Sequence, residues 1–129
     1  MRDAVVDASV IVELVAGDTE AAVAMLAPFD ELHAPAHLDA ECLSAFRRLL
    51  LGGRGSIADF LDHTSTLGDL PITRHQLAPL LPRMAALTFN ATPYDSAYIA
   101  LAEALGAPLL TADARMAAVP GITCRVAVL

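Results

Sequence analysis

Ala4-Val5-Val6-Asp7 near the start of the chain and Leu109-Leu110-Thr111-Ala112-Asp113 near its end are the segments that decide the fold. Each is a short apolar run followed by an acid, which is typical of a buried strand with a polar residue at its carboxyl end. Open parallel sheets bind ligands at the carboxyl ends of their strands. We therefore expect the carboxylates of Asp7 and Asp113 to leave buried strands toward a cleft.

The sequence between these two segments predicts helices that alternate with short strands. Gly68 is expected to stop one helix, and Gly106 is expected to close the last one, which begins with Thr92 as its N-cap. This alternation predicts an α/β fold, with a mostly parallel sheet of four to five strands covered on both faces, in one domain of residues 1–129. The predicted helices span residues 9–15, 19–27, 37–51, 56–67, 76–87 and 93–105, with a short helical turn at 114–119. The predicted strands span 4–7, 31–34, 70–73, 107–111 and 122–126.

Two further acids, Glu41 and Asp95, lie on predicted helices and have two interpretations each. Glu41 falls on the shoulder of the apolar stripe of its helix, so it either reaches a cleft or is an ordinary solvated charge. Asp95 is three residues after the N-cap Thr92, so it either faces a site or only completes a capping box. Asp7 and Asp113 can likewise be read as turn or cap residues after a strand. Four such positions in one small domain favour a shared site over four separate explanations.

A shared site for four carboxylates predicts a bound cation. Carboxylates brought together raise one another's pKa unless a cation or a proton relieves the repulsion. Oxygen ligands without a cluster of Cys and His favour Mg²⁺ or Mn²⁺ over zinc. The four His residues lack the paired helical spacing of a zinc site, so we interpret them as structural or surface residues.

Charge and composition exclude several classes of protein. The net charge is −7, and all eight cationic residues are Arg. A P-loop and a Schiff-base enzyme both require a Lys, so neither is possible. An acidic chain is also a poor non-specific binder of nucleic acid, so any such role must rely on bound metal and local Arg clusters. The charge-free stretches are too short for a membrane span, and we expect a cytoplasmic protein without a membrane partner.

Four segments together resemble the acidic motifs of PIN-domain ribonucleases. The resemblance is strongest to the VapC toxins of bacterial toxin-antitoxin pairs, and it extends over essentially the whole chain in the order and spacing of that family. It implies a PIN-like three-layer αβα sandwich. The segments are Val5-Val6-Asp7-Ala8-Ser9-Val10-Ile11, Ala34-Pro35-Ala36-His37-Leu38-Asp39-Ala40-Glu41, Tyr94-Asp95-Ser96-Ala97-Tyr98-Ile99-Ala100-Leu101-Ala102-Glu103 and Leu110-Thr111-Ala112-Asp113-Ala114-Arg115.

The resemblance also implies roles for individual residues. Ser9 and Thr111 match small hydroxyl positions that support the site. Arg115 stands where the family often has a further polar or acidic residue, so it either contacts a phosphate or pairs with a site carboxylate. The metal-binding and catalytic acids implied by the resemblance are Asp7, Glu41, Asp95 and Asp113.

The function implied by the resemblance is that of a Mg²⁺-dependent endoribonuclease, with Mn²⁺ as a substitute ion. It would act as the toxin of a type II toxin-antitoxin system and would hydrolyse RNA phosphodiester bonds with metal-activated water. A catalytically inactive PIN-fold interaction module is the alternative, because a fold does not guarantee activity. Such a module would be expected to lack one or more site acids. A phospho-receiver domain is disfavoured, because that family usually has a Lys that this chain lacks.

The implied partners are a VapB-type antitoxin and a second copy of the chain in a homodimer. A mean hydropathy of +0.55 suggests that apolar surface is buried against a partner. We expect the helices at residues 37–51 and 56–67 to clamp the antitoxin, although their apolar residues can equally fill the core. The expected anchors of this clamp are Phe46, Leu50, Leu51 and Phe60.

Overall fold

The computed structural model describes residues 2–129 and contains one five-stranded sheet and six α-helices. Two 3-10 helices, Ala78–Leu80 and Ala114–Ala118, complete the regular structure. The strands are β1 (Asp3–Val6), β2 (Glu31–Pro35), β3 (Ile72–His75), β4 (Leu109–Thr111) and β5 (Val126–Val128). The helices are α1 (Ala8–Ala16), α2 (Thr19–Leu26), α3 (Leu38–Leu51), α4 (Ile57–Asp69), α5 (Leu81–Ala86) and α6 (Pro93–Leu105).

The sheet is entirely parallel and has the strand order β3-β2-β1-β4-β5. This confirms the predicted α/β class and the PIN-like sandwich. The central strand β1 is fully buried from Ala4 to Val6, as expected for a strand covered on both faces. Val6 pairs with Leu110 of β4, and the backbone N–H of Asp7 donates to the carbonyl of Leu110 at 2.9 Å. The two strands that carry Asp7 and Asp113 are therefore neighbours.

Helix α6 is the most deeply buried helix and begins and ends as predicted. Thr92 is the N-cap, Pro93 occupies the first helical position, and Gly106 closes the helix with a left-handed φ of 63°. Every residue from 96 to 102 is buried. Because α6 packs on the sheet along this length, Asp95 in its first turn is held at one fixed end of the sheet.

Several predicted boundaries are wrong, and proline explains two of the differences. Helix α4 continues through Gly68 to Asp69 and stops before Pro71, because the residue that precedes a proline disfavours helical geometry. The strand expected at 70–73 consequently begins at Ile72. The helix expected at 76–87 divides into a 3-10 helix and α5, each with a proline near its start.

The last strand also lies further along the chain than predicted. The sequence predicts a strand at 122–126, whereas β5 spans Val126–Val128. Gly121 has a φ of 80°, which places a turn where the strand was expected to begin. The register is set by β4, because Leu109 pairs with Val126 and Thr111 pairs with Val128.

Helices α3 and α4 expose a different apolar set from the one predicted. Phe46 is 1% exposed and belongs to the core, and Phe60 is partly buried against it, so neither is an anchor of the predicted kind. Leu51 is 67% exposed, as expected for an anchor. Ile57 and Leu61 on α4 are exposed to a similar extent and were missed, since spacing alone did not separate the two faces of the helix. Within residues 2–129, no helix combines the length and the apolar character that crossing a membrane requires.

Candidate active site

The four predicted acids line one open cleft of about 480 Å³ at the carboxyl end of the sheet. We call this the acidic cleft. Asp7 comes from the end of β1, and Asp113 comes from the end of β4. Glu41 and Asp95 come from the first turns of α3 and α6. The lining also includes Ser9 and Arg115, which were predicted, and Glu13 and Arg48, which were not.

Asp7 is fixed by two hydroxyl groups that donate to the same carboxylate oxygen. Ser9 Oγ and Thr111 Oγ1 each lie 2.7 Å from Asp7 Oδ2. Each hydroxyl has one proton, and both protons are used in the hydrogen bonds to Asp7. The 3.3 Å contact between the two hydroxyl oxygens is therefore not a further hydrogen bond. These two bonds set the rotation of the Asp7 carboxylate.

The same two hydroxyls accept hydrogen bonds from the backbone that follows β4. The N–H of Ala112 donates to Ser9 Oγ at 2.9 Å, and the N–H of Asp113 donates to Thr111 Oγ1 at 3.0 Å. Since each hydroxyl both donates and accepts a hydrogen bond, the network fixes the ends of β1 and β4 relative to each other. This position of Ser9 and Thr111 agrees with the supporting role expected of them.

Asp7 is 7% exposed, and the pKa of its carboxyl is raised. Burial is the main cause, and the charge of Glu41 raises the pKa further. The hydrogen bonds from Ser9 and Thr111 act in the opposite direction but do not compensate for burial. An ionised Asp7 is therefore held at a cost in free energy, which a nearby cation would reduce.

Glu41 is held by two donors, His37 at the N-cap of its own helix and Tyr98 on α6. Its Oε1 atom lies 2.7 Å from the hydroxyl of Tyr98 and 3.1 Å from Nε2 of His37. Burial raises the pKa of Glu41, but the hydrogen bonds from His37 and Tyr98 outweigh it, and the net pKa is lowered. Nε2 of His37 also lies 3.1 Å from the carbonyl oxygen of Tyr94, so it faces two acceptors and carries the proton. Glu41 is thus a fixed carboxylate rather than a freely solvated helix charge.

Asp95 lies in the first turn of α6, and its side chain is not used in a capping box. The Thr92 hydroxyl accepts from the N–H of Asp95 at 3.2 Å. Within residues 2–129, the reciprocal bond that completes a capping box is formed at the start of α4, by Ser56 and Asp59, and not at the start of α6.

The electrostatics of Asp95 link the four acids. Burial raises its pKa, and so do the charges of Asp7, Glu41 and Asp113, in that order. The charge of Asp95 is therefore repelled by those of the other three acids, and such repulsion is the condition that predicts a cation.

Asp113 is paired with Arg115. Nε of Arg115 lies 3.0 Å from Oδ1 of Asp113, and Nη2 lies 2.9 Å from Oδ2. These hydrogen bonds, together with the one from the backbone N–H of Arg115, lower the pKa of Asp113. The Arg115 side chain is 90% exposed, whereas that of Asp113 is 29% exposed. In this structure Arg115 contacts a carboxylate.

Comparison with known proteins gives the family. The family model described as PIN domain matches residues 4–122. Ribonuclease VapC1 of Mycobacterium tuberculosis is 37% identical over 98% of this chain and 97% of its own length. The chain is a PIN domain of the VapC ribonuclease family. This identification agrees with the resemblance of the four acidic segments.

Two solved structures share the PIN fold at low identity. VapC20 of Mycobacterium tuberculosis, described as a toxin that cleaves the sarcin-ricin loop, has a TM-score of 0.70 and 13% identity over 93% of this chain and 96% of its own. VapBC2 of Rickettsia felis is described as bound to a DNA fragment from its promoter. It has a TM-score of 0.68 and 11% identity over 96% of this chain and 98% of its own. At this identity the two structures support the fold alone.

The sequence interpretation of this PIN domain missed two residues of the acidic cleft. Arg48 lies seven residues after Glu41 on α3, with Ala45 between them, so the three share one helix face. Helical spacing from Glu41 was a signal that would have found it. Glu13 lies one turn beyond Ser9 on α1, but its carboxylate accepts the N–H of Asp18 at 2.7 Å, which closes the end of that helix.

The donor set of the cleft suits a hard divalent cation. It offers carboxylate oxygens, which Mg²⁺ and Mn²⁺ prefer, and the raised pKa values of Asp7 and Asp95 indicate uncompensated negative charge. For no three of the four acids do the carboxylate oxygens, one from each residue, all lie within 4.8 Å of one another. Within residues 2–129, the group that does meet this distance is Asp3, Glu31 and His33, at the other end of the sheet.

Proposed function

We propose that this chain is a divalent-metal-dependent endoribonuclease and the toxin of a type II toxin-antitoxin pair. The observation that carries the proposal is the acidic cleft, in which Asp7 is fixed by Ser9 and Thr111 and is coupled electrostatically to Glu41. Relatives named ribonuclease VapC, which the chain matches over nearly its full length, support the same activity. We treat residues 1–129 as one PIN-like domain.

The metal ligands in this proposal are Asp7, Glu41, Asp95 and Asp113, with Mg²⁺ as the ion and Mn²⁺ as a substitute. When bound, such an ion lowers the pKa of water for attack on a phosphodiester and offsets the negative charge that develops. Asp113 can take part only if it shares its carboxylate with Arg115, because that arginine already binds both oxygens. Asp7 is the ligand with the most fixed orientation.

The remaining residues of the cleft position the acids and receive the substrate. Tyr98 and His37 hold Glu41 in its ionised form through their hydrogen bonds. Arg48 brings a positive charge to the rim of an otherwise acidic site, whereas the charge of Arg115 is already paired with Asp113. In a chain of net charge −7, Arg48 is therefore the arginine of the cleft best placed to neutralise a phosphate.

An RNA cleavage assay tests the activity. The purified chain is incubated with total RNA and Mg²⁺, and the ends of the products are mapped. We expect cleavage by the wild type and none by Asp7→Asn, which removes one charge at nearly constant volume. Asp62→Asn is the matched control, because Asp62 is an exposed acid on α4 outside the cleft. Equal cleavage by wild type and Asp7→Asn contradicts the assignment.

The inactive interaction module is the second candidate, and the same assay separates it from the nuclease. An interaction module predicts no cleavage by the wild type under any divalent ion. The presence of all four acids in the cleft favours the nuclease, since a module that only binds partners has no need to keep their mutual repulsion.

The proposed partners are a VapB-type antitoxin and a second copy of the chain. The exposed residues Leu51, Ile57 and Leu61 on α3 and α4 give the clamp an apolar surface. A solved relative described as VapBC2 is a precedent for such a pair. We expect co-expression with a cognate VapB-type antitoxin to yield a stable complex that Ile57→Glu with Leu61→Glu disrupts. Retention of the complex in this variant excludes the α4 surface.

A further inference from the structure

The amino end of the sheet carries an unusual pair of acids. Asp3 begins β1, Glu31 begins β2, and the two residues are direct partners in the register of the parallel strands. Like charges directly opposite each other on neighbouring strands are destabilising. Asp7 lies four positions after Asp3, which at roughly 3.3 Å per residue is about 13 Å along the chain. The pair therefore belongs to a place distinct from the acidic cleft.

A buried histidine faces this pair of acids. His33 is 8% exposed, and its Nε2 atom lies 3.8 Å from Oδ2 of Asp3 and 3.7 Å from Oε2 of Glu31. Within residues 2–129, His33 Nε2 has no hydrogen-bond partner, and neither does Oδ1 of Asp3. Buried polar atoms without partners are rare and indicate an absent ligand, ion or water.

The other ring nitrogen of His33 is already engaged. Its Nδ1 atom lies 2.9 Å from Nε2 of His75, which is partly buried on β3. When Nδ1 of a neutral His33 donates this hydrogen bond, Nε2 holds a lone pair that points toward two carboxylates. Histidines that bind metals usually donate their other N–H in this way, which fixes the tautomer and the ring orientation.

We propose that Asp3, Glu31 and His33 form a site for a divalent transition-metal ion, with Zn²⁺ as the best-suited ion, and that His75 positions His33 in it. One imidazole nitrogen and two carboxylates are a donor set that zinc accepts, with a fourth position left for water. This site is independent of the acidic cleft and of the proposed nuclease activity.

The distances fit the proposal closely. Ligands about 2.1 Å from a tetrahedral ion are roughly 3.4 Å from one another. In the structure the nitrogen-to-oxygen separations are 3.7 and 3.8 Å, and the ligand atoms of all three residues lie within 4.8 Å of one another. Side-chain movements of about an ångström or less bring them to an ion. Asp3 and Glu31 are 37% and 48% exposed, so the ion can enter from solvent.

The ion has a structural consequence at the start of the sheet. It replaces the repulsion between Asp3 and Glu31 with a shared positive partner and ties the first residues of β1 and β2 together. A second occupant has the same sign of charge: a proton on His33 Nε2 also interacts favourably with both carboxylates. The experiment must therefore separate metal from proton.

We would titrate ¹⁵N-histidine-labelled Asp7→Asn protein with ZnCl₂ at constant pH and record the ring nitrogen signals. This background removes one ligand of the acidic cleft. We expect one equivalent of Zn²⁺ to move the Nε2 signal of His33 and to leave His63, which packs on Phe46, unchanged. The same titration with MgCl₂ should leave His33 unchanged, because Mg²⁺ disfavours nitrogen ligands.

Calorimetric titration of variants tests each ligand. Glu31→Gln should weaken Zn²⁺ binding more than about tenfold, and His75→Ala should weaken it about 10- to 100-fold, which is the usual effect of losing the group that orients a ligand. Glu20→Gln, which changes an exposed acid on α2, is the matched control and should bind as tightly as the parent. Glu31 is also exposed at a strand start, so this variant is expected to fold.

Two results overturn the proposal. One is a His33 signal that responds to pH but not to Zn²⁺, which assigns the position to a proton. The other is equal Zn²⁺ affinity in Glu31→Gln and Glu20→Gln. Neither measurement uses RNA cleavage, so failure here is distinguishable from failure of the proposed nuclease function.

Discussion

The hydroxyl of Tyr98 donates a hydrogen bond of 2.7 Å to Oε1 of Glu41, and this bond joins α6 to α3 at the acidic cleft. Tyr98 is fully buried, and burial together with the neighbouring carboxylate raises the pKa of its hydroxyl, so it acts only as a donor. Together with His37, Tyr98 fixes the position of Glu41 and lowers the pKa of its carboxyl.

Tyr98→Phe removes this bond without removing the ring. We expect the pKa of Glu41 to rise, so the acid limb of the pH–cleavage profile should move to higher pH. Loss of a hydrogen bond to a charged group should lower the free energy of unfolding by about 1.5–3 kcal/mol. Tyr94→Phe is the control, since Tyr94 is 62% exposed. An unchanged acid limb in Tyr98→Phe shows that Glu41 does not set it.

Thr111→Val tests the hydroxyls that hold Asp7. The substitution keeps the shape of the side chain but removes the donor to Asp7 and the acceptor for the N–H of Asp113. Removal of a group that orients a metal ligand should weaken Mn²⁺ binding about 10- to 100-fold. Thr64→Val, on α4, should have no effect on calorimetric Mn²⁺ affinity. Equal affinities in the two variants would mean that Asp7 needs no fixed orientation.

The pH dependence of stability tests the repulsion at Asp95. Because the folded protein raises the pKa of this carboxyl, its favourable contribution is complete below the unfolded pKa and is lost as pH rises through the folded pKa. Asp95→Asn should therefore stabilise the metal-free fold at neutral pH, with a gain that disappears under acid conditions. Urea unfolding at several pH values measures this gain. Asp62→Asn should give none, and a gain independent of pH would exclude repulsion as its cause.

Metal should stabilise the native state. Mg²⁺ that binds only the folded protein raises the free energy of unfolding by RT ln(1 + [L]/Kd), about 2.7 kcal/mol at a hundredfold excess over Kd. Thermal unfolding in MgCl₂ and in NaCl at matched ionic strength separates specific binding from screening. Glu41→Gln should lose the specific part. If this variant responds to Mg²⁺ as the wild type does, Glu41 is not a ligand.

Arg48→Ala tests the contact with RNA. In an Asp7→Asn background that prevents cleavage, loss of one phosphate contact should reduce the slope of log affinity against log salt by about 0.7 for single-stranded RNA. Fluorescence anisotropy of a labelled oligonucleotide measures the slope. Arg54→Ala, outside the cleft, is the matched control. Identical slopes would mean that Arg48 does not neutralise a phosphate.

The fold and the members of the cleft could be predicted because both follow from local patterns. The apolar runs that end in Asp7 and Asp113 indicate two buried parallel strands. The cap at Thr92 fixes where α6 begins and therefore where Asp95 lies. Their meeting in one cleft follows from the order of the strands. The roles of the acids as metal ligands stay predictions.

Contacts between distant segments could not be predicted in the same way. The pairing of Arg115 with Asp113 depends on a 3-10 turn, and the contact of Tyr98 with Glu41 depends on how α6 crosses α3. The juxtaposition of His33 and His75 requires the register of β2 and β3, which short strands do not encode. Pattern alone indicates which face of an element is apolar, but not which side chains meet across two elements.

The bond between Thr111 and Asp7 spans 104 residues of the chain. A polypeptide still emerging from the ribosome contains Asp7 early but has no β4, so it can complete neither the central strand pairing nor the acidic cleft. The acidic cleft can therefore form only after β4 has been translated, long after Asp7 itself.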